Sequence, residues 1–231
     1  ATPIRTSQGD MQVTTSIGIG TLRSANETIG DILAEADGCL YDAKKAGRDC
    51  VIITASTGHG TLWKAGMLQH ALREDRLIAA YQPMVDLATG RVVADEALAR
   101  LRQPDGTIVV AGEFIEAAEG INLIHHVDNA IARQAMGRCA VNLRDGLAQP
   151  GMLHFVNLSA QFLARRDLVM ALLNDAQTYC TTCGVDFGPT KPIVFEITER
   201  DLVSNLAMLE DDLKPLIDFG FQIALDDFGS G

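Results

Sequence analysis

Positive charge is what this sequence most lacks: 19 Lys and Arg stand against 30 Asp and Glu in 231 residues, a formal net charge of −11. Without a basic surface there is no counterion release to gain from a polyanion, which excludes polymeric nucleic acid as a partner. A small anionic substrate stays open if metal ions reverse the local sign. Long apolar runs are missing as well, since none approaches the roughly 18 residues of a membrane span. The opening "ATPIRTSQGD" has no Met and no signal-peptide layout, and it reads as a cut end. Cysteine is sparse and odd in number (Cys39, Cys50, Cys139, Cys180, Cys183), which fits reduced thiols in a cytoplasmic setting better than a disulfide framework. The one CxxC, "CTTC" at 180–183, has no second pair and reads as a helix end rather than a zinc site. The single tryptophan, Trp63, reads as packing.

An apolar fraction of 47% supplies a packed core, and 21% charge is ordinary for a soluble protein. Residues 1–54 hold a strand pattern at 11–20, with Val13, Thr15, Ile17 and Ile19 alternating. A helix follows with Ile29, Ile32, Leu33, Ala36, Leu40 and Ala43 at helical spacing, Asn26 as N-cap and Gly47 as stop. "CVIIT" at 50–54 is a short apolar strand. Two strands and one helix are too few to bury a core alone, so this piece reads as the tail of a domain. Residues 55–64 open as a small, polar linker, and a helix runs from Leu62 to Asp75.

From Leu77 the rhythm changes. "LIAAYQPMVDL" and "RVVADEALARL" are separated only by "ATG", which makes them antiparallel hairpin partners. A long helical region spans 111–143. Strands at 153–159, 192–198 and 221–227 then alternate with helices at 166–179 and 205–220. Apolar strands alternating with helices predict parallel strands buried on both faces, an α/β architecture of open sheet or barrel type.

Four strands end in an oxygen-bearing residue directly after an apolar run: Glu96, Asn157, Glu196 and Asp226. The carboxyl ends of parallel strands converge on one face, where active sites lie. Three carboxylates and an amide make a hard, all-oxygen set suited to Mg²⁺ or Mn²⁺. Any one of them alone is also an ordinary cap or turn residue, and Asn157 could cap the helix after it. Asp227, adjacent to Asp226, would let one aspartate bridge two ions, the arrangement of two-metal phosphodiester cleavage. Arg100 could fork onto a phosphate or pair with an acidic neighbour. Gln82 could hydrogen-bond a base or phosphate, and Glu199 could orient the loop starting at "DDFGSG".

These stretches resemble a known family. "EALAR" (96–100), "VNLSAQFL" (156–163), "FEITE" (195–199) and "DDFGSG" (226–231) are similar to successive motifs of EAL domains, the cyclic di-GMP phosphodiesterases. "VTTSIGIGTL" and "ADGCLYDAKKAGRD" resemble the C-terminal third of GGDEF domains, the diguanylate cyclases, giving a tandem GGDEF–EAL order. The resemblance implies residues 1–54 from a GGDEF domain, 55–64 as linker, and 65–231 as the N-terminal part of a (β/α)₈ TIM-like barrel with its first strand antiparallel. About five of the eight barrel strands would be present.

The roles implied are these. Glu96, Asn157, Glu196 and Asp226 would bind one Mg²⁺ or Mn²⁺, with Asp226 bridging and Asp227 on a second ion. Arg100 and Gln82 would hold substrate, and Glu199 would steady the loop after the fifth strand and couple it to homodimerisation. The reaction would be attack of metal-activated water on cyclic di-GMP, giving linear pGpG. The alternative is an inactive EAL module that binds cyclic di-GMP as an effector or acts through protein contacts. Lys44 and Arg48 match positions that touch GTP phosphates in active cyclases, and equally read as solvated helix-end cations.

Leu101 stands where the family has tryptophan, Ser230 where threonine is common, and Asp95 is expected to add charge beside the metals. The family's catalytic lysine, further glutamates and late glutamine would lie beyond Gly231, and the GGDEF signature before residue 1. The chain alone is therefore expected to be an incomplete fragment without turnover, of a parent that a missing N-terminal region could tether to a membrane.

Overall fold

The computed structural model describes residues 4–6, 9–11, 14–22, 28–45, 48–53, 61–147, 151–199, 206–227 and 229. The chain divides into two compact units, Ala1–His70 and Ala71–Gly231. Within the described residues no helix is long and apolar enough to cross a membrane.

In the first unit, β1 (Ile4–Thr6) and β2 (Gly9–Met11) form an antiparallel pair. Strands β3 (Ile17–Ile19) and β4 (Val51–Ile53) pair in parallel, joined by helix α1 (Ile29–Lys45) as a crossover. Helix α1 lies directly on β3 at Gly18, where a Cβ would collide with the backbone of Ala36 and Leu40, so only glycine permits that approach. The predicted cap and stop, Asn26 and Gly47, lie outside the described residues. The cap that the structure shows is Thr28, which donates from its amide and hydroxyl to the Asp31 carboxylate at 2.8 and 2.7 Å. Its own oxygen accepts from the Asp31 amide at 3.2 Å, a reciprocal capping box. Ile29 and Leu33 do not join the helix's buried stripe, being 77% and 65% exposed; Cys39 and Ala43 fill it instead.

Helix α2 (Thr61–Arg73), whose last residues fall in the second unit, buries Ala65, Leu68 and Ala71 at helical spacing. β5 (Leu77–Val85) and β6 (Val92–Arg102) form the expected antiparallel hairpin. At its turn the Asp86 carboxylate accepts from the amides of Ala88 and Thr89. Gly90 supplies the left-handed φ of +67° that brings the chain back. A short β7 (Ile108–Val110), which sequence periodicity does not suggest, pairs antiparallel with the end of β6.

The helical region expected over 111–143 is broken. A 3₁₀ turn (Ala111–Glu113) leads into α3 (Ile115–Gly120), and α4 starts only at Ile124 and runs to Arg144. The break falls at Asn122, whose φ of +57° no helix accommodates. Then follow β8 (Leu153–Asn157), α5 (Ala160–Leu163), α6 (Arg166–Cys183), β9 (Ile193–Thr198), α7 (Leu206–Phe219) and β10 (Gln222–Asp226). The main sheet runs β10-β9-β8-β6-β5, parallel from β6 to β10. This is α/β architecture with a partial barrel sheet.

Strand alternation gives that sheet two distinct faces. One, covered by helices, buries Ala97, Leu101, Val156, Phe195 and Ile197 at 2% exposure or less. The other is half open, and the register puts Gln82 level with Glu96, and Asn157 level with Glu196, along it.

Candidate metal and phosphate site

Glu96, Asn157, Glu196 and Asp226 all lie on the half-open face. Asn157 and Asp226 close β8 and β10, and Glu196 lies near the end of β9. Glu96, expected to end its strand, lies instead within β6, which hairpin pairing with β5 and β7 extends to Arg102. Three parallel ladders bring the four to one face, with Asn157 level with Glu196, Glu96 one strand repeat before them and Asp226 one repeat after. Asn157 does not cap the helix after it. Its side-chain amide donates to Glu96 Oε1 at 3.0 Å, and the cap of α5 is Ser159, whose hydroxyl accepts from the Phe162 amide at 3.2 Å. That hydroxyl in turn donates to the buried Asp128 carboxylate at 2.6 Å, which ties the β8 end to α4.

Glu196 is the electrostatic centre of the group. Burial first, and then the negative charges of Glu96 and Asp226, push its carboxyl up to about 7. A cation placed among these three would reverse that penalty, so the donor set fits a hard divalent ion in kind. Among the described residues, no three His, Cys, Asp or Glu side chains stand close enough to form a ready-made cage. Glu96, Glu196 and Asp226 interact across the face without being drawn around a point.

Asp227 follows in a left-handed backbone, φ +55°, with its amide donating to Asp226 Oδ1 at 2.8 Å. That turn directs two consecutive aspartates differently from a continuing strand, in which they would face opposite sides. Glu199, just past β9, accepts from the Gly229 amide at 2.7 Å and so reaches into the loop after β10. Phe228, Ser230 and Gly231 of that loop lie outside the described residues.

Arg100 shares the face of Glu96 two strand repeats further on, with one guanidinium N–H donating to the Ala99 carbonyl at 2.8 Å. Gln82 is exposed and sits opposite Glu96 across the hairpin. A cleft of about 250 Å³ opens beside the group, lined among others by Leu98, Asn157, Ser159, Glu196 and Thr198. Lys44 and Arg48, in the other unit, are exposed.

Asp95 corrects the expectation drawn from its position. Adjacent strand residues face opposite sides, so Asp95 points away from Glu96, into the helix-covered face, and adds no charge to the rim. It is 3% exposed and meets His154 there, Nδ1 to Oδ1 at 2.7 Å. Its neighbour in polarity, His154, has no signal in the sequence beyond interrupting an apolar strand. Leu101, in place of the family's tryptophan, is fully buried on the same face. The CxxC forms the last turn of α6, with Cys183 its final residue. All five cysteines are thiols, and burial, followed by the nearby Cys183 and Cys180, pushes the Cys139 thiol up to about 12.

Residues 65–231 match the EAL domain family, and residues 1–50 match the diguanylate cyclase, GGDEF domain family. An uncharacterized protein of Mycobacterium tuberculosis is 32% identical over 222 residues, covering 94% of this chain and 34% of the relative. The bifunctional diguanylate cyclase/cyclic di-GMP phosphodiesterase MucR of Pseudomonas aeruginosa is 28% identical over 237 residues, covering 99% of this chain and 33% of MucR. Among solved structures, a PaMucR phosphodiesterase in complex with c-di-GMP superimposes with a TM-score of 0.60 at 26% identity, over 73% of this chain and 65% of the other. The chain thus spans about a third of the length of these curated relatives.

Proposed function

The chain belongs to the EAL domain family, with a C-terminal GGDEF piece ahead of it, and on that premise we propose that the protein hydrolyses cyclic di-GMP to linear pGpG. The observation that carries this reading is the gathering of Glu96, Glu196 and Asp226 on one face of the sheet, where burial and then the other two charges push Glu196 up to about 7. Carboxylates placed so are disfavoured in the bare protein and favoured once a dication joins them. MucR's named activity and the solved c-di-GMP complex support the choice of ligand.

Glu96, Asn157, Glu196, Asp226 and Asp227 would hold two Mg²⁺ or Mn²⁺ ions; members of the family are typically metal-dependent. Bound there, the ions would supply an activated water and neutralise charge on the leaving oxygen. The chain's own groups orient the reactants. Asn157 fixes the Glu96 carboxylate through its 3.0 Å hydrogen bond. Arg100 has N–H donors beyond the one given to Ala99 with which to hold a phosphate. Gln82, level with Glu96 across the hairpin, shares its face of the sheet. Glu199 positions the loop after β10 by holding the Gly229 amide. Homodimerisation through the EAL domain, GTP recognition by the GGDEF piece and a cytoplasmic setting belong to the same proposal.

The test is cyclic di-GMP turnover by the whole protein with Mg²⁺ or Mn²⁺, read as pGpG by chromatography, with Glu96→Ala as control. Turnover lost in Glu96→Ala supports the reading. Turnover that survives Glu96→Ala refutes the site. Binding of cyclic di-GMP without turnover would identify an effector module instead.

A further inference from the structure

We propose that the buried Asp95–His154 pair locks the register of β6 against β8, and thereby holds Glu96 beside Asn157. Asp95 and His154 are direct partners in that parallel ladder, 3% and 2% exposed, and joined at 2.7 Å. Arg138 of α4 approaches the other carboxylate oxygen at 3.9 Å, and its guanidinium lies 3.6 Å over the ring of Tyr81 on β5. One buried carboxylate therefore gathers β5, β6, β8 and α4.

The surroundings explain why a lock is needed. The helix-covered face of β6 otherwise carries Ala97, Ala99 and Leu101, and that of β8 carries Val156. A slip of one residue between the strands would turn every side chain to the wrong face and is excluded by burial. A slip of two keeps the faces and merely exchanges one small apolar residue for another. With Asp95 and His154 in place, that slip leaves a carboxylate and an imidazole buried without each other. Buried polar pairs add little net stability over an apolar pair of similar volume, and specifying register is their best-attested use.

The consequence appears on the opposite face. Glu96 lies level with Phe155, one strand repeat before Asn157. A two-residue slip toward Leu153 therefore carries it about 7 Å further away, beyond reach of the Asn157 amide it now meets at 3.0 Å, while the opposite slip replaces that diagonal contact with a level one. Asp95 and His154 are thus positioning residues. The part of the inference that concerns metal binding rests on the function proposed above.

The test uses the 231-residue chain, with an apolar pair, Asp95→Val with His154→Leu, and a reversed pair, Asp95→His with His154→Asp. Amide resonances and cross-strand proton contacts between β6 and β8 report register, and Mn²⁺ titration followed by electron paramagnetic resonance reports the site. The expected result for the apolar pair is thermal stability equal to or above the wild type, more than one set of β6 and β8 resonances, and Mn²⁺ affinity weakened about 10-fold or more. The reversed pair restores a single set and an affinity within about threefold of wild type. A single native set with unchanged affinity in the apolar pair overturns the inference. Failure of the apolar pair to fold overturns it too, because the pair would then stabilise rather than specify. If the wild type binds no Mn²⁺, the metal reading fails by itself, and the resonances alone decide the register lock.

Discussion

Replacing Glu196 by glutamine should stabilise the metal-free protein at alkaline pH and leave it unchanged in acid. Glu196 titrates near 7 in the folded chain against an ordinary value of 4.5, because burial and the charges of Glu96 and Asp226 disfavour its ionised form. A folded value above the unfolded one means that the folded state holds the proton more tightly. The associated stability is fully present below about pH 4.5 and is lost as pH rises through about 7. At about 1.36 kcal/mol per pH unit the full difference would reach about 3 kcal/mol. Glu196 is only half-buried, so solvent screening reduces this to about 1–2 kcal/mol. A glutamine at this position carries no charge to lose, so the melting temperature of the variant should exceed that of the wild type by about 2–8 °C at pH 8, and match it near pH 4.5. Calorimetry across that range in a chelating buffer is the assay. Mn²⁺ added at pH 8 should raise the wild type and move the variant much less, since the ion relieves the same crowding. Parallel pH profiles for the two proteins would refute the reasoning, and so would a variant less stable at pH 8.

Three other substitutions probe the scaffold. Leu101→Ala, at a fully buried position, should cost about 2–5 kcal/mol in chemical denaturation, because the close-packed helix-covered face cannot collapse around the lost methyl groups. Thr28→Ala removes both hydroxyl bonds of the α1 capping box and should lower the stability of the first unit by about 1 kcal/mol, read as earlier loss of α1 amide protection. Glu199→Ala should leave global stability within about 0.5 kcal/mol. It should speed hydrogen exchange at the Gly229 amide, which loses its carboxylate acceptor, and unchanged exchange there would count against the loop contact.

What the sequence makes legible follows from which forces are local. Strand alternation, the hairpin at Asp86–Arg91 and the parallel run from β6 to β10 rest on period and turn chemistry, and both are visible in single stretches. The positions of Asn157, Glu196 and Asp226 are readable for the same reason, each being the oxygen-bearing residue that follows an apolar run near a strand end, whereas Glu96 lies inside β6, whose extension to Arg102 the hairpin pairing decides. The break at Asn122 and the three-residue β7 are not, because each depends on what the segment packs against. Helix α1 shows the same limit: Ile29 and Leu33 fit the period, yet the small sheet that α1 lies on covers only the stripe through Cys39 and Ala43.

Asp95 and Glu96 mark the boundary most sharply. The two are adjacent acids, and composition alone assigns both to the same electronegative rim. The pleat separates them: Glu96 faces the opening and Asp95 faces α4. Reading Asp95 correctly requires its partner 59 residues away, and His154 declares itself only through a ladder whose register the pair itself helps to set. A residue whose partner is chosen by register cannot be assigned before register is known. Asn157 and Asp226 escape that circularity because each is the last residue of its strand. Polar groups that close an apolar strand are therefore legible in sequence, while the polar groups that align neighbouring strands become legible only in the fold.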